Sequence, residues 1–286
     1  MSEAGTMLLD RDAVTRKVAN LPSLSRTAIE ILQSIGDERA DTESLARKIA
    51  GDQSLVARML RVANSPFYGL SGRVTTIQDA IVILGLRSVR MLATAASVAS
   101  GLERITTPGF DFTVFWRNSI GTALGARLLA HRLKVPEEHA FAAGLLHDIG
   151  RLALAACFPE HYAAVQHYRQ GLDCHLLDAE HAVIGLDHGV IGSLLAHRWQ
   201  FPPLLCEAIG SHHAPANIGV TPLAAIVQVA DAIVHALDLA GDATDMVPRL
   251  TPEYWQAIGL SWHEAQELMQ RLDSEFGEVS ELLMNK

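Results

Sequence analysis

Cysteine is scarce, basic residues are outnumbered, and no long hydrophobic run is free of charge. The three cysteines, Cys157, Cys174 and Cys206, are odd in number and widely spaced, which excludes a disulfide-framed secreted scaffold. Lys and Arg total 23 against 32 Asp and Glu, a net charge of -9, and this argues against a broad surface for nucleic acid or anionic membrane. The longest apolar stretches, such as 223–240, carry Asp231, His235 and Asp238 and suit buried helices better than membrane spans. The opening MSEAGTMLLD has neither the basic start nor the apolar core of an export signal. A reduced, cytoplasmic protein with no membrane part is the expectation.

What is present is a chain of 286 residues, 49% apolar and 19% charged, with no low-complexity tract and enough length to bury a sizeable core. Apolar positions recur at helical spacing from Leu24 onward and strand-like alternation is hard to find, so the expected class is all-α, in two packed helical lobes. Five short helices are expected in about the first hundred residues. The first begins near Ser23 or Ser25 and stops at Gly36; the second runs from the Asp41–Thr42 cap to Gly51. The third is capped by Asp52 and ends in NSPFYG, and the fourth opens on a Thr76/Asp79 capping box and is followed by Gly85 and a fifth through Leu92 and Ala96. TTPGFDF at 106–112 holds a Pro-Gly turn and is taken as the seam between an N-terminal lobe, 1–105, and a C-terminal bundle, 106–286. Beyond it helices are expected at roughly 112–133, 137–156, 159–170, 173–182, 184–199, 203–213, 220–239, 252–258 and 262–284.

Thirteen histidines stand in the chain. Nine of them, His131, His139, His161, His167, His175, His181, His197, His235 and His263, have polar or charged neighbours and are assigned no role. The others sit differently. His147 and Asp148 are adjacent in AFAAGLLHDIGRLALAA, His188 lies near a helix start in GLDHGVIGSLLAHRW, and His212 with His213 closes CEAIGSHH. Asp231 interrupts AAIVQVADAIVHA, a helix apolar on most sides. An unpartnered carboxylate in such a helix is expensive to desolvate, so each needs a buried partner. One explanation is convergence on one or two divalent ions, Fe, Mn, Ni or Zn, that polarise water for attack on a phosphate ester. The other is a polar network of Asp–His hydrogen bonds that binds no ion. The residues alone leave both open.

GLLHDIG with a later Asp in an apolar helix resembles the HD superfamily of metal-dependent phosphohydrolases, whose pattern is a His, then His-Asp, then a distant Asp. Over nearly its whole length the chain resembles the HD-related output domain, HDOD. The segments that carry this are LPSLS at 21–25, VANSPFYG at 62–69, TTIQDAIVILGLRSVRML at 75–92, FWRNSI at 115–120, AFAAGLLHDIGRLAL at 140–154, EHAVIGLDH at 180–188 and RWQFPPLLCEAIGSHHAP at 198–215. The resemblance implies that His147, Asp148 and Asp231 match three of four superfamily metal ligands, while the first His is replaced by Asn118, a neutral and weak ligand. His188, His212 and His213 look like the additional histidines of the HD-GYP branch, which cleaves cyclic di-GMP. The following APANIGV lacks that branch's GYP loop, so cyclic di-GMP hydrolysis is not expected.

Smaller features take plainer readings. Lys134, Arg151 and Arg198 are read as solvated or helix-end charge rather than phosphate contacts, and Trp116 and Trp199 as core. Glu180 is a candidate partner for a histidine. The stretch 45–64, two helices about Gly51 with Arg47, Lys48, Arg58 and Arg61, resembles a helix-turn-helix but reads as a packing unit, and Phe67 and Tyr68 of NSPFYG as plugs in the seam. The expectation is a bacterial signal-transduction output module with a degenerate metal site at His147, Asp148, His188, His212, His213 and Asp231. It would act through a signalling protein partner or a nucleotide and not through DNA. The alternative is a metal-dependent phosphohydrolase acting on a nucleotide or other phosphate ester.

Overall fold

The computed structural model describes residues 7–35, 42–64, 74–102, 107–214, 220–242 and 246–284. Gly36, Asp41, the loop 65–69, Thr106 and the segment 215–219 lie outside the described residues, as does the side chain of Arg58. Every regular element described is a helix: α1 (Arg11–Val18), α2 (Arg26–Gln33), α3 (Thr42–Ala50), α4 (Gln53–Ala63), α5 (Ile77–Leu84), α6 (Leu86–Leu102), α7 (Phe112–Leu133), α8 (Glu137–Leu146), α9 (Ile149–Cys157), α10 (Pro159–Leu172), α11 (Leu176–Val183), α12 (His188–Arg198), α13 (Pro203–Ser211), α14 (Pro222–Ala236), α15 (Pro252–Ile258) and α16 (Trp262–Met284). The all-α expectation holds.

Local chemistry sets several of these ends. Ser25 accepts from the Ala28 amide at the start of α2, Asp52 Oδ1 from the Leu55 amide before α4, and Thr76 with Asp79 completes the capping box of α5. The helices α2–α6 pack mostly on one another, α3 and α4 turning Leu45, Ala46, Ile49, Leu55 and Met59 into the core. The second group is built around α7, which is buried along most of its length and packs against α8, α14 and α16. A buried ion pair joins the groups: Arg90 Nη1 of α6 lies 2.9 Å from Glu138 Oε2 of α8 and also donates to the Ser34 carbonyl. α1 was not foreseen. It lies against α9 and α12, and the preceding residues bond to the end of α11 through Met7 N to Val183 O and Leu9 N to Ile184 O.

One expected helix is two. The stretch 137–156 breaks at His147–Asp148, where Asp148 has φ -96° and ψ 8°. In an unbroken helix adjacent side chains diverge by about 100°. The break instead lets both residues contribute to one place. The stretch Glu137–Cys157 is long and apolar enough to cross a membrane, but 83% of its apolar window is buried against other helices.

The approach of helices here depends on two glycines. A Cβ on Gly144 of α8 would lie 2.7 Å from the Thr122 carbonyl of α7, and one on Gly150 of α9 would lie 1.8 Å from the His188 carbonyl and 2.6 Å from the Gly192 amide of α12. Backbone cannot yield as a side chain can. Gly150→Ala should therefore cost about 3 kcal/mol in urea denaturation. Gly171→Ala, in α10 with nothing within 4 Å, should gain about 0.5–1 kcal/mol. Equal stabilities for the two variants would contradict the close α9–α12 contact.

Candidate metal centre

Four helix ends and one helix middle deliver the six expected residues to a single buried point. His147 and Asp148 come from the α8–α9 break, His188 from the first position of α12, His212 and His213 from the end of α13, and Asp231 from the middle of α14. His147, His212, His188, Asp231 and Asp148 are all at most 4% exposed. Asp148 Oδ1 is the shared neighbour of three rings, with His188 Nε2 at 3.1 Å, His147 Nε2 at 3.6 Å and His212 Nε2 at 4.0 Å. Its other oxygen takes a 2.7 Å bond from Arg151 Nη1. Asp231 Oδ1 meets His147 Nε2 at 3.2 Å and His235 Nε2 at 3.2 Å, and His213 Nε2 meets His188 Nε2 at 3.0 Å.

The hydrogen bonds on the far side of each ring decide what its inner nitrogen can do. His147 Nδ1 donates to the Gly144 carbonyl at 2.7 Å, His212 Nδ1 to the Ile209 carbonyl at 2.8 Å, and His188 Nδ1 to Glu180 Oε2 at 2.8 Å. Carbonyls and carboxylates only accept, so all three Nδ1 atoms carry protons and each Nε2 presents a lone pair when the ring is neutral. A lone pair facing a carboxylate is repulsive. His147 and His188 can therefore stand beside Asp148 and Asp231 only with a positive charge between them, either a proton on Nε2 or a metal ion.

The proton version is visible in the pKa shifts. Burial pulls His188 down, but the Glu180 and Asp148 carboxylates overcome it and hold the ring well above its ordinary value; His147 is raised in the same way by Asp148 and Asp231. Burial pushes Asp148 up, yet His147, Arg151 and His188 keep it well below the usual carboxylate range; for Asp231 the compensating charges are His235 and His147. His212 goes the other way. Burial, then the neighbouring His147 and His188 charges, push it down to about 4, and His213 is lowered by burial, His212 and His188. His212 Nε2 has no hydrogen-bond partner among the described residues.

The metal version fits the same atoms. Ligands about 2.1 Å from one ion stand about 3.0 Å apart at right angles and about 4.2 Å apart across it. The separations around Asp148 Oδ1, from 3.1 to 4.0 Å, fall in that range. Two sets of donor atoms lie within 4.8 Å of one another, His147–Asp148–His212 and His188–His212–His213. Imidazole and carboxylate donors suit Zn, Fe, Mn or Ni. The carbonyls and Glu180 that fix the rings are the outer contacts such ligands need.

Residues 21–215 match the HDOD domain model. The chain belongs to the HDOD family. An HDOD domain protein of unknown function from Geobacter sulfurreducens shares the fold at 22% identity, with a TM-score of 0.81 over 97% of this chain and 100% of that one. A candidate phosphohydrolase from Shewanella amazonensis SB2B is 28% identical, with a TM-score of 0.75 and 98% of each chain covered. An uncharacterized protein of Treponema pallidum (strain Nichols) is 26% identical over 237 residues, 79% of this chain and 44% of that one. The HDOD chain described here thus spans less than half the length of that curated relative.

Several other residues require comment. Asn118, 2% exposed, stands at the cluster: its Nδ2 donates to Asp231 Oδ1 at 3.3 Å, beside Thr122 Oγ1 at 3.4 Å. Glu180 is 1% exposed and accepts from both the ring and the backbone N–H of His188. Two readings need correction. His235, assigned no role, lies one helical turn after Asp231 and faces it; the i, i+4 spacing was the available clue. Arg151, read as solvated charge, is drawn inward because Asp148 needs a counter-charge. Lys134 lines a separate groove beside Gly85 and Arg87, Arg198 is exposed, and Trp116 and Trp199 are buried as expected.

The shifts set the pH response of the metal-free protein. His188 is raised, so its contribution is complete below 6.5 and lost as pH climbs through the raised value. Asp148 and Asp231 are depressed, so theirs is complete above 3.8 and lost as pH falls. In EDTA the urea midpoint should be highest near pH 6.5: it should fall below that as the unfolded chain protonates His212 and His213, which stay neutral in the fold, and fall above it as His147 and His188 lose their protons, with His188→Gln shrinking the alkaline fall. A midpoint that rises from pH 6.5 to 9 would contradict the assignment.

Proposed function

We propose that this chain is a signal-transduction module whose His/Asp centre holds a divalent cation with an altered ligand set, and that it acts by binding a partner protein or a nucleotide. The observation that carries this reading is Asn118. At the position where the superfamily pattern has its first histidine, this chain places an amide whose N–H group is turned to Asp231 Oδ1, so it donates to a ligand instead of acting as one. The remaining set, His147, Asp148, His188, His212, His213 and Asp231, would hold the ion.

Each protein group has a stated part. Gly144 and Ile209 carbonyls and Glu180 aim the imidazole lone pairs inward. Arg151 offsets the charge of Asp148 and fixes its rotamer, and Asn118 and Thr122 hold Asp231 in place by hydrogen bonds to its Oδ1. A bound divalent ion supplies a Lewis-acidic charge toward anionic groups. His147 and His188 would have to give up their Nε2 protons to hold an ion, so metal uptake would release acid. The three cysteines are all unpaired, which suits the reduced cytoplasm in which such a module would work.

A second reading, a phosphohydrolase, draws support from the six convergent groups and from the 28% identical Shewanella amazonensis protein described as a candidate phosphohydrolase. Metal analysis of protein purified without added ions, followed by assays on bis(p-nitrophenyl) phosphate and on nucleotides, separates the two. The module reading predicts bound divalent metal, lost in His188→Ala, and no turnover above the blank. Turnover by the metal-loaded protein that disappears in Asp148→Ala would establish the hydrolase instead.

A further inference from the structure

Beside the cluster lies a cavity of about 260 Å³ lined in part by Asp148, His188, His213 and Asp231. Three arginines also line it: Arg151 from α9, Arg169 from α10 and Arg249 from the stretch before α15. Arg151 is steadied by Asp148 at 2.7 Å and Arg249 by Asp178 at 2.9 Å. Arg169 is a cation only 7% exposed. Leu176, Leu177, Met246 and Pro248 give the lining an apolar part.

The polar groups in the wall are not all satisfied. Gln228, one turn before Asp231 on α14, is 3% exposed and lines the cavity, and its Oε1 has no hydrogen-bond partner among the described residues. Thr251 Oγ1, on the same cavity, is buried and also without one among the described residues. A buried acceptor without a donor is costly. The cavity therefore suits a molecule with three parts: an anionic group for the arginines, a hydroxyl or amino group for Gln228, and a flat apolar face for the Leu–Met–Pro wall. Planar guanidinium groups pair best with phosphate or carboxylate, and arginines beside a divalent centre match the doubly charged one. The volume lies at the small end of ordinary ligand pockets, roughly 300–1,000 Å³, which favours a ligand the size of a mononucleotide over a cyclic dinucleotide.

We propose that this cavity binds a nucleoside monophosphate, with its phosphate among Arg151, Arg169 and the cluster and its sugar or base hydrogen-bonded to Gln228. This rests on the cation-holding reading of the cluster for part of the phosphate's affinity, and on the arginines and Gln228 for the remainder. The test is calorimetric titration of the full chain, once loaded with Mn²⁺ and once in EDTA, with AMP, GMP, their nucleosides, inorganic phosphate and cyclic di-GMP. The Mn²⁺ titration itself reports on the cluster. The expected result is that AMP or GMP binds at least tenfold more tightly than its nucleoside, inorganic phosphate or cyclic di-GMP. Gln228→Met should weaken the mononucleotide about tenfold and leave Mn²⁺ binding unchanged, with a melting midpoint no lower than that of the parent chain. Arg169→Gln should lose the preference for the nucleotide over the nucleoside. Should Arg169→Gln fail to fold, the Gln228→Met comparison still decides. Mn²⁺ binding with no preference for a monophosphate, or tighter binding of cyclic di-GMP, would overturn the inference and leave the metal centre standing. Absence of Mn²⁺ binding would remove the metal centre, and the EDTA titration would then decide this inference by the same tenfold criterion.

Discussion

The constraint on which the rest of the structure depends is the burial of Asp148 at the point where α8 breaks into α9. One of its oxygens faces three imidazoles and the other is held by Arg151. A buried carboxylate is tolerated only when charge and hydrogen bonds answer it from several sides. The partners come from elements far apart in sequence, so the carboxylate is satisfied only when α9, α12, α13 and α14 are all in place. The Gly150 contact with the backbone of α12 puts His188 within reach, and Gly144 lets α8 lie against α7, which carries Asn118 and Thr122. Packing and electrostatics thus specify the same arrangement.

The same compensation links structure to function. The two carboxylates require positive charge, the three fixed Nδ1–H groups point lone pairs at them, and His212 and His213 remain neutral by virtue of burial. A cluster poised between protons and a metal ion is suited to sensing as well as to catalysis. Asn118 shifts the balance in this chain: it feeds a hydrogen bond to Asp231, where a histidine would add a further ligand. The membership of the family comes from the whole of 21–215, whereas the function argued here comes from this one place.

Much of this was legible in the sequence because it is local. α7, α15 and α16 have the expected bounds, and the caps at Ser25, Asp52 and Thr76 are side chains bonding to amides three residues on. The six cluster residues were legible because ionisable groups stand out in apolar helices. What escaped was set by tertiary contact. α1 has only two buried residues, Val14 and Val18, too few to show a helical period. The break at His147–Asp148 has no glycine or proline at its centre and is imposed by the need to aim two adjacent side chains at one point. α12 begins later than expected because Gly185 takes φ 73° and Asp187 caps the Val190 amide. His235 looked solvated by its neighbours in sequence, and only the helical turn back to Asp231 shows its place.

The central claim is that Nδ1–H anchors turn the Nε2 atoms of His147, His188 and His212 toward a shared positive charge. Long-range proton–nitrogen correlation spectra of protein labelled with ¹⁵N-histidine test this directly, first in EDTA near neutral pH and then after Zn²⁺ is added. The account predicts a neutral, Nδ1-protonated His212 and doubly protonated His147 and His188 without metal, followed by Zn²⁺-induced shifts at Nε2 of all three with Nδ1 protons retained. A His212 protonated at Nε2, or spectra of these rings unchanged by stoichiometric Zn²⁺, would contradict it.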